Sequence, residues 1–212
     1  MSLNERVIRG DACIAEGAAW LAVREERFAY ALARTGPLPL RLRGDGFVAL
    51  LDAICAQQIS VAAADAVWRK LERADLTSAQ RVAGANEEDL RACGLSRQKT
   101  RYARALATSG IDYAALRDLP SSEVIKELTK VTGIGRWTAE IYAMFSLGRA
   151  DVFAAGDLAL QESVRMLFEM ELRPKEKDLI AISQAWSPWR GVAARLLWDY
   201  YRIQKGREGV KQ

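Results

Sequence analysis

A Gly-Ile-Gly corner, placed between two predicted helices, constrains this chain more than any other feature of its sequence. The corner lies in residues 128–157, which read LTKVTGIGRWTAEIYAMFSLGRADVFAAGD. One predicted helix ends just before Thr132, a second covers residues 136–145, and the loop that follows ends on Asp157. Two glycines around one apolar residue predict a tight turn, because glycine adopts positive φ and lets the backbone approach another molecule closely.

The turn opens a helix, and this arrangement predicts an anion-binding site. The first N–H groups of a helix have no partner within the helix, and the helix dipole is positive at that end. A phosphate is therefore favoured there, while Ile134 between the two glycines is expected to point inward. The alternative is an ordinary corner between helices that binds no ligand, since short glycine motifs often occur by chance.

The chain is predicted to be all-α, because no segment sustains the apolar–polar alternation of a strand. Residues 1–35 are predicted to form one helix, which the Gly- and Pro-containing residues 35–39 end. An almost wholly apolar stretch at 47–55 predicts a buried helix, and residues 61–72 predict the next one, with Ser60 as its N-cap. A chain of 212 residues is long enough for one or two domains.

Composition excludes several kinds of chemistry. The chain has no histidine, and its three cysteines, Cys13, Cys55 and Cys93, lie far apart with no CxxC pair. This predicts neither a disulfide framework nor a metal cluster, and it removes histidine-based acid–base catalysis. The net charge of +4 permits nucleic-acid binding without requiring it. No apolar run is long enough to span a membrane and no signal-peptide pattern begins the chain, so we expect a cytoplasmic protein without a membrane partner.

Three separate stretches resemble one family. They read GIGRWTAE…DVFAAGD, LLDAICAQQISVAAADAVWRKL and WSPWRGVAARLLW. Together they resemble the helix-hairpin-helix DNA glycosylase superfamily, and within it the 3-methyladenine DNA glycosylase II (AlkA-type) branch, over residues 47–202. The resemblance implies two helical lobes with a central cleft, without the extra N-terminal α/β domain that some members carry. Residues 1–43 would join the C-terminal lobe, residues 44–156 would form the other lobe with the hairpin motif at about 128–146, and residues 157–212 would complete the first lobe.

Asp157 is the residue to which the resemblance assigns catalysis. It precedes an amphipathic segment, so the sequence by itself predicts a helix N-cap. The two roles are compatible, because a helix dipole favours negative charge at that position. When a base leaves DNA the sugar becomes oxocarbenium-like, and a nearby carboxylate stabilises that charge or steers a water molecule. The resemblance implies that the damaged base is first flipped out of the duplex.

The resemblance also assigns residues to the damaged base and to the DNA backbone. Trp137 and Trp198 are expected in the base pocket, where an indole face gains about 0.5–2 kcal/mol from a cationic base; the alternative is plain core packing. An aromatic position of the family falls at Ile141, next to Tyr142, and this departure affects the range of accepted bases. The expected backbone-binding residues are Thr132, Gly133, Ile134, Gly135, Arg136 and Thr138. A structural Na⁺ or K⁺ is implied at the backbone carbonyls of Thr129, Val131 and Ile134.

Two further groups lie at predicted corners. Gln57 and Gln58 form a polar corner after a buried helix, which from the residues alone is a solvated turn. The resemblance implies a minor-groove wedge there, at Gln58 by alignment, although either glutamine could enter the duplex. Arg97, Lys99 and Arg101 form either a solvated basic face or a patch that contacts the DNA backbone.

Two departures from other superfamily members narrow the predicted activity. Trp137 stands where lyase-capable relatives have the lysine that forms a Schiff base, and an indole cannot do this. No cysteine follows Cys93, so the iron–sulfur cluster of several relatives cannot form. With these departures, the resemblance implies a monofunctional glycosylase that removes alkylated purines such as 3-methyladenine from duplex DNA. We expect it to be monomeric and to need no cofactor. The alternatives are a non-catalytic helix-hairpin-helix DNA-binding protein, a glycosylase for deaminated or oxidised bases, and a helical scaffold without a nucleic-acid partner.

Overall fold

A computed structural model describes residues 5–206, and this part of the chain is helical throughout. Its α-helices are α1 Asp11–Arg24, α2 Glu26–Thr35, α3 Phe47–Ala56, α4 Val61–Arg73, α5 Ala79–Gly84, α6 Glu87–Ala92, α7 Arg97–Ala107, α8 Ser121–Thr129, α9 Arg136–Phe145, α10 Leu158–Leu167, α11 Glu176–Ser183 and α12 Arg190–Lys205. Two short 3₁₀ helices cover Ala115–Asp118 and Gln184–Trp186. Among the described residues, β pairing is limited to one bridge between Val7 and Arg149, which confirms the all-α prediction.

The chain divides into two compact units. The first, here called the hairpin unit, comprises residues 43–142. The second, here called the terminal unit, comprises residues 5–42 and 143–206 of the described chain. The division falls near the end of α9, whereas the resemblance implies a boundary after residue 156.

Backbone hydrogen bonds explain why residues 143–156 belong to the terminal unit. The N–H of Ile8 donates to the carbonyl of Gly148 at 2.7 Å. The N–H of Gly191 donates to the carbonyl of Ala150, also at 2.7 Å. The segment is therefore held between the start of the described chain and the start of α12, and none of these pairings is visible in a linear sequence.

The prediction of one helix over residues 1–35 is wrong. Two helices, α1 and α2, are separated by Glu25, whose backbone is extended at φ −137° and ψ 107°. The Glu25 carboxylate accepts the N–H of Arg27 at 3.2 Å and so starts a new helix. Leu21 of α1 and Phe28 of α2 are both buried, so each helix packs an apolar side into the core. Residues 1–4 lie outside the described chain.

The apolar helix predicted at 47–55 is confirmed as the centre of the hairpin unit. It corresponds to α3, and Leu50, Leu51 and Ile54 are almost completely buried. Helices α4 and α7 pack against it. The corner that follows α3 therefore begins at a buried helix that packs against two neighbours.

Helix α12 is the core of the terminal unit, and α1, α2 and α10 pack around it. Its Arg195 is completely buried, and the guanidinium donates to the carbonyls of Leu40, Met144 and Gly191 at 3.2, 3.4 and 2.8 Å. These bonds tie the segment before α3 and the end of α9 to α12. Within the described chain, no helix combines the length and apolar character needed to cross a membrane.

Candidate active site and nucleic-acid interface

The hairpin between α8 and α9 depends on Gly133. Its φ is +100°, and a Cβ there would lie 2.6 Å from the Cβ of Tyr102, which is closer than real contacts allow. At Gly135, by contrast, a Cβ would meet no atom within 4 Å. Ile134 is 4% exposed, which confirms that it points inward between the two glycines.

The hairpin presents a polar outer surface. Thr132, Gly135 and Arg136 are exposed, and the N–H groups of the first turn of α9 lie at the same end of that helix. Arg136 pairs with the buried Glu140 through a 2.8 Å contact along α9. Thr138, which was also expected to bind the DNA backbone, is buried.

The polar corner after α3, residues 57–60, is joined to the hairpin. The side-chain amide of Gln57 donates to the carbonyl of Gly133 at 2.9 Å, across 76 residues of sequence. Gln58 has a positive φ of 57° and is exposed. Ser60 caps α4 by accepting the N–H of Ala63, as predicted. The two glutamines therefore have different environments, which sequence reasoning could not distinguish.

The basic residues at the start of α7 also differ from one another. The ammonium group of Lys99 donates to the carbonyl of Cys55 at 2.6 Å and is half-buried, and this burial lowers the pKa of Lys99. Arg97 and Arg101 are exposed. Lys99 thus binds the end of α3 next to the polar corner, and only the two arginines present a basic face to solvent.

Asp157 lies at the N-terminus of α10, in the terminal unit. One of its carboxylate oxygens accepts the N–H groups of Ala159 and Leu160 at 2.8 and 3.0 Å, so the predicted N-cap is confirmed. The side chain is half-buried. The preceding loop is fixed as well, since the amide of Gln161 donates to the carbonyl of Ala155 at 2.9 Å. The carboxyl group is therefore held in one orientation at the positive end of a helix.

Asp151 anchors the middle of the same loop, and sequence reasoning missed it. Its carboxylate accepts two hydrogen bonds from the guanidinium of Arg190, each at 2.9 Å, and one from the hydroxyl of Ser187 at 2.8 Å. These partners lie at least 36 residues away in sequence, so no local pattern could reveal them. The loop that ends on Asp157 is consequently fixed to the start of α12.

Trp198 also belongs to the terminal unit and is 4% exposed. Its ring lies 5.8 Å from that of Phe145, and its indole N–H is buried with no hydrogen-bond partner among the described residues. Helix α10 packs on α12, where the hydroxyl of Ser163 donates to the carbonyl of Leu197 at 2.7 Å. The helix that Asp157 begins and the helix that carries Trp198 are thus neighbours.

The other expected pocket residues lie on α9, in the hairpin unit. Trp137 is 43% exposed, and Ile141, four residues further on, lies on the same helix face and is half-buried. Tyr142 is buried, and its hydroxyl accepts the N–H of Gly46 at 2.9 Å. Burial raises the pKa of Tyr142. Tyr142 therefore supports the start of α3, while Trp137 presents the accessible aromatic face.

Several groups that could serve as bases or nucleophiles are held protonated near neutral pH. Burial, reinforced by Asp52, raises the pKa of Cys55 to about 12. Burial beside Tyr142 raises the pKa of Tyr113 to about 12. Among the described residues, no group of three or more His, Cys, Asp or Glu side chains could hold a metal ion. Since the sequence has no histidine, carboxylates are the bases available near pH 7.

Residues 51–188 match the sequence profile described as HhH-GPD superfamily base excision DNA repair protein. The chain therefore belongs to the HhH-GPD superfamily of base excision DNA repair proteins.

Individual relatives lie in the 3-methyladenine branch that the sequence motifs resemble. DNA-3-methyladenine glycosylase 1 of Schizosaccharomyces pombe is 30% identical over 163 residues, which cover 73% of this chain and 72% of the relative. The structure of 3-methyladenine DNA glycosylase (Mag1) from the same yeast, in complex with abasic DNA, has a TM-score of 0.75 and 26% identity, covering 90% of this chain and 97% of that one. DNA-3-methyladenine glycosidase from Bacillus halodurans gives a TM-score of 0.81 and 30% identity, covering 95% and 94%. The resemblance drawn from the sequence is thus confirmed for both superfamily and branch.

Proposed function

We propose that this protein is a monofunctional DNA glycosylase that hydrolyses the N-glycosidic bond of alkylated purines in duplex DNA. The observation that carries the proposal is the carboxylate of Asp157, held by two backbone N–H groups at the end of an anchored loop. The substrate class follows from the relatives, whose names specify 3-methyladenine. We further propose that the protein acts as a monomer in the cytoplasm, on damaged duplex DNA.

Asp157 would act on the charge that develops when the base leaves. The deoxyribose becomes oxocarbenium-like, and a fixed carboxylate lowers the energy of that state without reorganising. The same group can orient the attacking water and accept its proton. A 3-methylated adenine already carries positive charge, so it leaves more readily than a normal base. The enzyme then needs to supply selection and sugar-cation stabilisation, rather than a strong acid for the leaving base.

The damaged base would stack on indole. Trp137 offers an exposed face, and a cationic purine on such a face gains about 0.5–2 kcal/mol. Ile141, on the same face of α9, would narrow that surface. In the terminal unit, the buried N–H of Trp198 has no protein partner in the described chain, so a base that reached it could accept a hydrogen bond.

Trp137 also supports the assignment as a glycosylase without lyase activity. A lyase needs an amine at this position to attack the sugar and form a Schiff base. An indole nitrogen cannot do so, because its lone pair belongs to the aromatic ring. We therefore expect an intact abasic site as product, and no covalent protein–DNA adduct when borohydride is added during the reaction.

The hairpin would bind the DNA backbone through N–H groups of Gly133 and Gly135, at the positive end of α9. The backbone carbonyls of Thr129, Val131 and Ile134 would hold the expected Na⁺ or K⁺. Val131 already accepts the N–H of Ile134 at 3.0 Å, which leaves the second lone pair of that carbonyl for an ion. A bound cation would add positive charge next to the phosphate.

The proposal is tested by incubating the protein with methylated duplex DNA and resolving the released bases. We expect the protein to release 3-methyladenine and to have little activity on matched duplexes that contain uracil or 8-oxoguanine. Release from the uracil or oxidised duplex alone would overturn the substrate class. DNA binding without release of any base would favour the non-catalytic alternative.

The hairpin part of the proposal has its own test, the substitution Gly135→Ala. The added methyl group meets no protein atom within 4 Å, so the fold should be unaffected. If the backbone here approaches a phosphate, the methyl group should weaken binding to duplex DNA measured by fluorescence anisotropy. Unchanged affinity would exclude close approach of DNA at this position.

A further inference from the structure

Two exposed corners of the hairpin unit are directly connected. The polar corner at residues 57–60 ends α3, and the hairpin at residues 132–135 begins α9. The amide of Gln57 donates to the carbonyl of Gly133 at 2.9 Å, and both residues are half-buried.

Helix α7 contacts the chain next to both of these corners. Lys99 of α7 donates to the carbonyl of Cys55, at the end of α3. Three residues further along α7, the side chain of Tyr102 occupies the space that any side chain at residue 133 would need. One helix therefore contacts both the end of α3 and the hairpin, and the bond from Gln57 to Gly133 connects the two directly.

The connection leaves Gln58 projecting from its corner, next to the exposed Ile59. Gln57 is fixed twice, by its side chain and by its own N–H, which donates to the carbonyl of Ile54 at 3.3 Å. Gln58 is exposed and has a φ of 57°, a conformation that residues with a side chain rarely adopt. Backbone strain of this kind persists where the surrounding structure imposes it, and it is concentrated at functional sites.

We propose that Gln57 is a positioning residue, which holds the projecting Gln58 at a fixed distance from the phosphate-binding hairpin. This inference rests on the proposed function. With the hairpin bound to the backbone, the Gln57–Gly133 bond sets where Gln58 meets the duplex. Gln58 then enters the space of the flipped base, and Gln57 acts through it without touching the base.

The proposal predicts a specific pattern of coupling. Removing the Gln57 donor removes the bond that fixes the distance between Gln58 and the hairpin. Base release should then slow, while binding to undamaged DNA continues. When Gln58 is already truncated, there is no projecting side chain left to position. Loss of Gln57 should then have no further effect, whereas a general structural defect would slow the reaction by the same factor in either background.

The experiment measures single-turnover base release from methylated duplex DNA for the wild type, Gln57→Met, Gln58→Ala and the double variant. Methionine keeps the length of glutamine but has no donor. We expect Gln57→Met to slow release roughly two- to tenfold, the range of one lost hydrogen bond. We expect the double variant to be no slower than Gln58→Ala. Multiplicative effects, or a Gln57→Met rate equal to that of the wild type, would overturn the proposal.

Controls separate this inference from the proposed function. Gln184→Met removes a similar amide-to-carbonyl bond, at 3.2 Å to Ile180 within the terminal unit, and should leave the rate unchanged. Gln57→Glu is the second variant, for use if Gln57→Met folds poorly. It keeps the size of the side chain but replaces the donor, and it should slow base release to a similar extent. Thermal unfolding of each variant identifies any that are unfolded. A wild type that releases no base would refute the proposed function and this inference with it, while an active wild type with multiplicative variants would refute the inference alone.

Discussion

Replacing Gly133 with alanine should destabilise the hairpin unit far more than the same change at Gly135. At Gly133 the φ of +100° lies in a region that only glycine adopts easily, and the new methyl group would overlap the side chain of Tyr102. At Gly135 the methyl group would enter open space. The two substitutions are chemically identical and two residues apart, so each is a control for the other.

The magnitude follows from two costs at Gly133. A left-handed backbone costs a residue with a side chain about 1–2 kcal/mol. Inserting a methyl group into packed surroundings costs about 1–3 kcal/mol more. The free energy of unfolding should therefore fall by about 2–5 kcal/mol, against the typical total of about 5–15 kcal/mol. The Gly135→Ala variant should stay within about 0.5 kcal/mol of the wild type.

Urea denaturation followed by circular dichroism measures these differences. With the usual dependence of about 1–3 kcal/mol per molar urea, the Gly133→Ala midpoint should fall by at least about 0.7 M. Combining Gly133→Ala with Tyr102→Gly, which also removes the Cβ that lies 2.6 Å from the added methyl group, should recover the part due to overlap when Tyr102→Gly alone is the reference, and leave the backbone cost. Equal midpoints for Gly133→Ala and the wild type would refute the packing of Tyr102 against the hairpin.

Three further predictions concern stability. Asp199→Ala should lower the free energy of unfolding by about 3–5 kcal/mol, because it removes the 2.7 Å partner of the buried Arg41 guanidinium. Denaturant unfolding measures this loss, and a value below about 1 kcal/mol, as expected for an exposed ion pair, would contradict the prediction. Burial raises the pKa of Cys55 from 9.0 to about 12, so the stability that the protonated thiol contributes is complete below pH 9 and is lost as the pH rises from 9 to 12. The difference in unfolding free energy between the wild type and Cys55→Ala should therefore narrow over that range. A constant difference would exclude the raised pKa of Cys55. Asp157→Ala should lose the cap of α10 and about 1 kcal/mol, whereas Asp157→Asn should lose little, because asparagine caps helices equally well; equal melting temperatures for the two variants would contradict this role.

Local features of the site could be predicted from the sequence. The Gly-Ile-Gly pattern correctly predicted the turn between two helices, the inward direction of Ile134 and the start of α9. The position of Asp157 before an amphipathic segment predicted its cap. These features depend on neighbouring residues, so a linear pattern contains the necessary information.

Features that depend on distant partners could not be predicted. Gln57 and Gln58 are chemically identical, and they are distinguished only in the folded chain, by the bond from Gln57 to Gly133 and by the exposure and positive φ of Gln58. Asp151 gave no signal of its role, since Arg190 meets it only in the folded chain. The break at Glu25 was missed because neither glycine nor proline marks it, and the side chain of Glu25 itself starts the second helix.

Base release by the wild type and by Asp157→Asn tests the central claim most directly. Asparagine preserves the cap and the size of the side chain, so fold and DNA binding should survive, while the negative charge beside the developing sugar cation is lost. We predict that the wild type releases 3-methyladenine from methylated duplex DNA and that Asp157→Asn does so at least about 100-fold more slowly. An Asp157→Asn rate within a few-fold of the wild-type rate would contradict the assignment of Asp157 as the catalytic carboxylate.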